Sequence, residues 1–229
     1  SDWSSDVCSS DLRALTLEIK PLLGNMVDYD LEILGSKLEK LEQLRYLDLT
    51  FDMHYDISDK GCKALFKGIS QLRNLQTFTL AIEKKTQVTD ETVRFLRECL
   101  GSLTLLKALS IRIFKCRLTD ECCKELWQGI RGLSGLKSLA LKLTNNRLTD
   151  SSFSYLRNLL FEQRQLEEVS LAIPIFTKEL GIEALAEGIS CLKSMRVLKL
   201  NIDSVPITGF GRKGADRIKD VIKRLPRLQ

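Results

Sequence analysis

The hydrophobic positions of this chain repeat. Between Leu136 and Asp150 leucine stands at 136, 139, 141 and 143, so a three-residue step gives way to strict alternation. Alternation puts every second side chain on one face of an extended strand. A polar turn follows, Asn145-Asn146-Arg147, then Leu148 and the pair Thr149-Asp150. Equivalent strand sets are Leu47, Leu49, Phe51; Phe78, Leu80, Ile82; Leu109, Ile111, Ile113; Val169, Leu171, Ile173; and Leu198, Leu200, Ile202. Past each turn the spacing becomes helical: Leu118, Cys122, Leu126 and Ile130 fall on one helix face. Ser58-Asp59, Thr89-Asp90, Thr119-Asp120 and Thr149-Asp150 stand where these helices should begin. A hydroxyl there accepts an otherwise orphaned N–H, worth about 1 kcal/mol. The aspartate suits the positive end of the helix dipole.

Repeats therefore open at Leu41, Leu72, Leu103, Leu133, Gln163 and Leu192, with a period of 29–33 residues. A degenerate copy precedes them at Ala14–Lys20, and Leu225–Leu228 reads as the opening of another, so a piece of a longer array is expected. One such unit cannot bury its own apolar side, whereas stacked units can. The expected result is a parallel sheet backed by helices, with right-handed connections. Seven strands spaced about 4.8 Å apart make a sheet roughly 30 Å wide.

The leucine spacing, turn and cap together resemble leucine-rich repeats, most closely the ribonuclease-inhibitor-like class. The stretch Ile57–Ile69, I-[ST]-D-x-G-x-x-x-L-x-x-G-I, resembles long tandem arrays of ciliates and other protists. The resemblance covers residues 13–229. It implies an α/β solenoid in a horseshoe arc, about seven repeats long. The strands would line the concave face and the helices the convex one. The family's inward turn asparagine is missing where its pattern is counted from the strand leucines. Asp52, Glu83, Phe114, Thr144, Pro174 and Asp203 stand there, so the family's turn geometry is not expected. Pro174 in repeat five and the extra residues around Gly209-Phe210-Gly211 read as length variation rather than recognition loops.

Residues 1–12, SDWSSDVCSSDL, do not belong to this pattern. They resemble a translated sequencing adapter and are expected to form a disordered, non-native tail ahead of one domain at 13–229. Without Asp2, Asp6 and Asp11 the formal charge moves from +5 to +8. Six cysteines remain, none in a C-x-x-C pair, which reads as buried free thiols in a reducing compartment, cytoplasm or nucleus. No apolar run approaches the roughly 20 residues a membrane-spanning helix needs, so no membrane partner is expected.

Candidate chemistry is sparse. The one histidine, His54, has no nucleophile motif beside it. Cys122-Cys123 lacks a second ligand pair at metal spacing and reads as two small core fillers. Gly209, Gly211 and Gly214 lack the lysine and hydroxyl of a phosphate loop. The basic stretch Arg212–Arg227 alternates with Ile218, Val221, Ile222 and Leu225, as the solvated face of a last helix would, which argues against nucleic acid. No enzyme, cofactor, metal or small-molecule substrate is expected.

What remains are the outward strand positions. One row reads Asp48, Thr79, Ser110, Ala140, Ser170, Lys199; the next reads Thr50, Ala81, Arg112, Lys142, Ala172, Asn201. Tyr46, Phe114 and Thr144 flank them. Small residues make a floor, Arg112 and Lys142 a central basic spot, and Asp48, Asp52 and Glu83 an acidic flank. The expected partner is another protein, held on the concave strands. Two other readings stand beside it. One is a scaffold resembling leucine-rich GTPase activators, which would need Asn145, Asn146 or Arg147 as an exposed loop donor. The other is a spacer between further domains.

Overall fold

The computed structural model describes residues 11–19, 26–52, 57–83, 87–173, 179–202 and 212–228. Of the tail at 1–12 only Asp11 and Leu12 lie among them; His54, Pro174 and Gly209-Phe210-Gly211 lie outside. Strands and helices alternate in the order β1 (Ala14–Ile19), α1 (Asp28–Leu38), β2 (Tyr46–Asp52), α2 (Asp59–Ile69), β3 (Thr77–Glu83), α3 (Asp90–Ser102), β4 (Ala108–Phe114), α4 (Asp120–Ile130), β5 (Ser138–Lys142), α5 (Ser151–Glu162), β6 (Glu168–Ile173), α6 (Glu179–Ser190), β7 (Val197–Ile202) and α7 (Arg212–Lys223). The strands form one parallel sheet in chain order, and the chain is an α/β leucine-rich-repeat solenoid.

The alternating residues do what their spacing requires. Leu47, Phe78, Leu109, Leu139 and Val169 lie side by side beneath the sheet, as do Leu49, Leu80, Ile111, Leu141 and Leu171; all are at most 3% exposed. Helix residues such as Leu65, Leu96, Leu126 and Leu156 close the core from behind. Where repeat five begins with Gln163 instead of leucine, that side chain is still buried, and its amide donates to the Ile130 carbonyl at 2.9 Å.

Among the described residues, successive repeats are fastened at strand entry throughout and at helix entry from α1 to the start of α5. At strand entry one carbonyl accepts two successive N–H groups of the following repeat: Arg13 from Arg45 and Tyr46, Arg45 from Gln76 and Thr77, and onward to Glu167 from Arg196 and Val197. At helix entry the expected caps form, with Ser58, Thr89 and Thr119 accepting the N–H two residues on, at 3.2–3.3 Å. The aspartates do more than favour their own helix dipole. Asp28 accepts from the N–H and hydroxyl of Ser58, at 2.8 and 2.6 Å. Asp59 does the same with Thr89, Asp90 with Thr119, and Asp120 with Thr149. Every bridge joins one repeat to the next.

The helices are not evenly spaced. Gly68, Gly129 and Gly188 occupy the same position in α2, α4 and α6. An added Cβ would lie 2.1 Å from Gly35 O, 3.0 Å from Arg97 Cα and 3.1 Å from Arg157 Cα, respectively. In α3 and α5 the equivalent residues are Cys99 and Leu159. Hence α1–α2, α3–α4 and α5–α6 pack more extensively than α2–α3, α4–α5 and α6–α7. Arg97 lies 2.8 Å from the buried Glu125 and Arg157 3.2 Å from Glu187, marking two of the tight junctions. The structural unit is thus a pair of repeats, a period the single-repeat sequence pattern did not disclose.

Five of the six cysteines expected to be buried are core residues, whereas Cys191, at the end of α6, is only half-buried. Cys62, Cys99, Cys116, Cys122 and Cys123 are buried as free thiols. Burial pushes the Cys62 thiol up to about 12 from its ordinary 9.0, with a partly opposing hydrogen bond from Thr92. Burial likewise raises the Cys99 thiol, and a hydrogen bond with Cys123 followed by burial raises that of Cys122. Raised in this way, Cys62, Cys99 and Cys122 are held as thiols near neutrality and are not activated nucleophiles.

Two outcomes follow. Asp59→Ala removes four hydrogen bonds and takes from the fully buried Thr92 hydroxyl its carboxylate acceptor. A loss of about 3 kcal/mol is expected by urea denaturation, whereas alanine at the exposed Lys63 should cost almost nothing. For Cys62 the folded pKa lies above the unfolded one, so its contribution is intact below pH 9 and fades as pH rises towards 12. Urea midpoints across that range should fall less steeply in Cys62→Ala than in the parent; parallel slopes would assign the alkaline loss elsewhere.

Candidate interaction surface on the concave sheet

Because strand side chains alternate, the residues between the core leucines all face away from the helices. The register aligns Asp48, Thr79, Ser110, Ala140, Ser170 and Lys199 in one row and Thr50, Ala81, Arg112, Lys142, Ala172 and Asn201 in the next. Strand β1 extends these rows with Thr16 and Glu18, which its degenerate sequence had hidden. A third row, towards strand entry, holds Tyr46, Thr77, Ala108, Ser138, Glu168 and Val197.

Asp48, Thr50, Thr79, Ser110, Arg112, Phe114, Lys142 and Ser170 are half-buried, and Lys199 and Asn201 are exposed. Ala81 and Ala172 are buried: a methyl between longer neighbours is out of solvent's reach. Thr144 corrects the expectation. It is 1% exposed, and its hydroxyl is buried without a hydrogen-bond partner, so it offers nothing to an incoming protein. Strand β5 stops at Lys142, and the chain turns before Thr144 can take the outward place its parity assigned.

The cause is Asn146. Its carboxamide oxygen accepts the Cys116 N–H at 3.0 Å, while its nitrogen donates to the carbonyls of Ile113 and Leu143 at 2.8 and 3.0 Å. This is the inward asparagine expected to be absent; it stands two residues beyond Thr144. The signal was present: Leu141, Leu143, Asn146 and Leu148 carry the repeat's L-x-L-x-x-N-x-L spacing, and Ile111, Ile113, Cys116 and Leu118 carry its cysteine form. Just before each, Lys115 and Asn145 adopt left-handed φ values of 56° and 60°. Asn146 is therefore built into the turn.

Charge on this face is segregated. Arg112 and Lys142 are directly paired on β4 and β5, strands that lie about 4.8 Å apart. Phe114, at the end of β4, has the Lys142 ammonium 6.0 Å and the Lys115 ammonium 5.3 Å from its ring centroid. Like charges on neighbouring strands repel, and the aromatic face offsets part of that cost at Lys142. Towards β2, the Asp48 carboxylate accepts long bonds from the Tyr46 and Thr50 hydroxyls, both at 3.4 Å. The side chains of Asp52 and Glu83, expected to complete the acidic flank, lie outside the described residues. At the entry rim Glu167 lies 3.1 Å from Lys137 and 3.6 Å from Arg196; the Lys137 hydrogen bond holds its carboxyl below the usual carboxylate range. No group of three or more metal-ligating side chains gathers anywhere among the described residues, and no helix among them is long and apolar enough to cross a membrane.

No family model matches the sequence, and no curated protein matches it. Many solved chains share the architecture, so the fold by itself does not single out a function. One of them, described as the Leiomodin-1 actin-binding site 2, superposes with a TM-score of 0.51 at 11% identity, covering 69% of this chain and 86% of that one.

Proposed function

We propose that this chain is a protein-interaction module that holds a partner on its concave strands, without catalysis. The carrying observation is the pair Arg112 and Lys142, in register on adjacent strands beside Phe114. Two cations side by side on the open face of the sheet favour a partner that brings carboxylates. The flanking alanines keep the neighbouring strands low, and Asp48 gives the opposite side the other sign, so a bound chain is oriented by charge. The solved neighbour is named for binding a protein, actin, which supports a protein partner; its low identity does not carry actin itself over. A helix behind every strand supports placement in the ribonuclease-inhibitor-like class. The GTPase-activator reading loses one of its three donors, since Asn146 is committed to backbone.

Arg112→Glu combined with Lys142→Glu tests this reading. Both positions are half-buried on the open side of the sheet, so the thermal melt should stay within a few degrees of the parent. Capture of the partner that the parent chain retains from a native extract should fall by about tenfold or more, and added salt should weaken the parent's binding. Undiminished capture by a folded double variant would exclude the concave basic spot as the contact.

A further inference from the structure

The paired-repeat construction gives the convex back a second candidate surface. The wide junctions are built alike. Phe66 of α2, Trp127 of α4 and Ala186 of α6 occupy one position, and Phe95 of α3, Tyr155 of α5 and Arg217 of α7 occupy the position across from it. At the middle junction the space is filled from within: Trp127 stacks on Tyr155, centroids 6.5 Å apart and planes 25° apart, with the Arg131 guanidinium 6.0 Å from the indole. At α2–α3 the indole is replaced by a smaller phenyl ring and Leu159 by Cys99. A groove of about 570 Å³ remains, floored by Phe66, Phe95 and Cys99. That size falls within the range of clefts that hold ligands.

The groove's walls carry charge unevenly. Lys60, Lys63 and Lys67 run along the α2 side, while Glu98 stands on the α3 side. Lys60 already has Glu32 at 3.5 Å, and the Lys63 ammonium sits 5.0 Å from the Phe95 ring centroid. Lys63 and Lys67 are exposed. The middle junction shows what such a space accepts: a flat aromatic group packed on a ring, under a cation.

We propose that the α2–α3 groove is a second docking site, and that it takes an acidic segment of a partner protein anchored by an aromatic side chain. The anchor lies on the half-buried ring of Phe95, above the buried Phe66, as Trp127 lies on Tyr155 one repeat pair further on. Carboxylates beside the anchor meet Lys63 and Lys67. The site faces away from the concave strands, so it operates whether or not those strands hold a partner.

The test uses the whole ¹⁵N-labelled chain and a blocked tripeptide with tryptophan between two glutamates. A matching peptide with tryptophan between two lysines is the control. The acidic peptide should shift the amide signals of Phe66, Phe95, Cys99 and Ser102 at low-millimolar concentration. It should bind about fivefold more tightly than the basic one, since two exposed ion pairs form with one and are opposed by the other. Lys63→Glu with Lys67→Glu, both on the surface, should reverse that preference. Phe66→Trp with Cys99→Leu, which reproduces the middle junction, should abolish the shifts in a chain that still folds. No shift at these residues up to ~10 mM, equal binding of both peptides, or shifts confined to β4 and β5 would each overturn the proposal.

Discussion

The carboxylate of Asp59 accepts from the hydroxyl of Thr89 at 2.6 Å and from the Thr89 N–H at 2.9 Å, joining residues of successive repeats. Everything else in the molecule depends on bonds of this kind. No repeat has a closed core: its leucines face the leucines of its neighbours, and its strand pairs with the strands on either side. Stability is therefore carried by interfaces between repeats rather than within them. The backbone carbonyls of Arg45, Gln76, Lys107 and Lys137 fix one end of each strand by accepting two N–H groups from the following repeat. The aspartate bridges fix the helix end. With both ends held, the strand in between has one register, and the outward rows are fixed with it.

That constraint also shapes the back of the molecule. Strands in a parallel sheet sit at a set hydrogen-bonding distance, but helices sit wherever their side chains allow. Glycine in α2, α4 and α6 lets each of these helices press against the one before it. Cysteine or leucine at the same place in α3 and α5 keeps those helices further from the one before. The front is thus uniform and the back alternates. Substitutions at the wide junctions change how much space is left, as Phe66, Trp127 and Ala186 do, without disturbing the sheet.

The sheet was legible in the sequence because its code is simple. Alternation has a period of two, so one misplaced residue would turn every leucine outward, and no other register buries them. The two outward rows were readable for the same reason, down to the pairing of Arg112 with Lys142. What was not legible involves contacts some 30 residues apart. Asp59, Asp90 and Asp120 looked like local caps because a helix-start aspartate has a sufficient local explanation; their partners are one repeat away. Thr144 looked exposed because parity was carried two residues past the end of the strand. Asn146 was missed by counting from the wrong leucine. The glycine alternation needs two repeats compared at once, and a pattern sought in single repeats averages it away.

These differences separate positions that hold the fold from positions free to recognise something. A change at Leu141 or Asp59 is felt by two neighbouring repeats, since both contribute to its surroundings. A change at Lys142 or Lys63 alters charge at an open face and leaves the stacking intact. Arg112 and Lys142 stand side by side in register on the open face, with the ring of Phe114 beneath the Lys142 ammonium. Like charges placed where the stacking leaves room are what the proposed recognition would use. The same reasoning applies to the lysine wall of α2, where Lys60 is matched by Glu32 while Lys63 rests over the half-buried Phe95 at the mouth of an open groove.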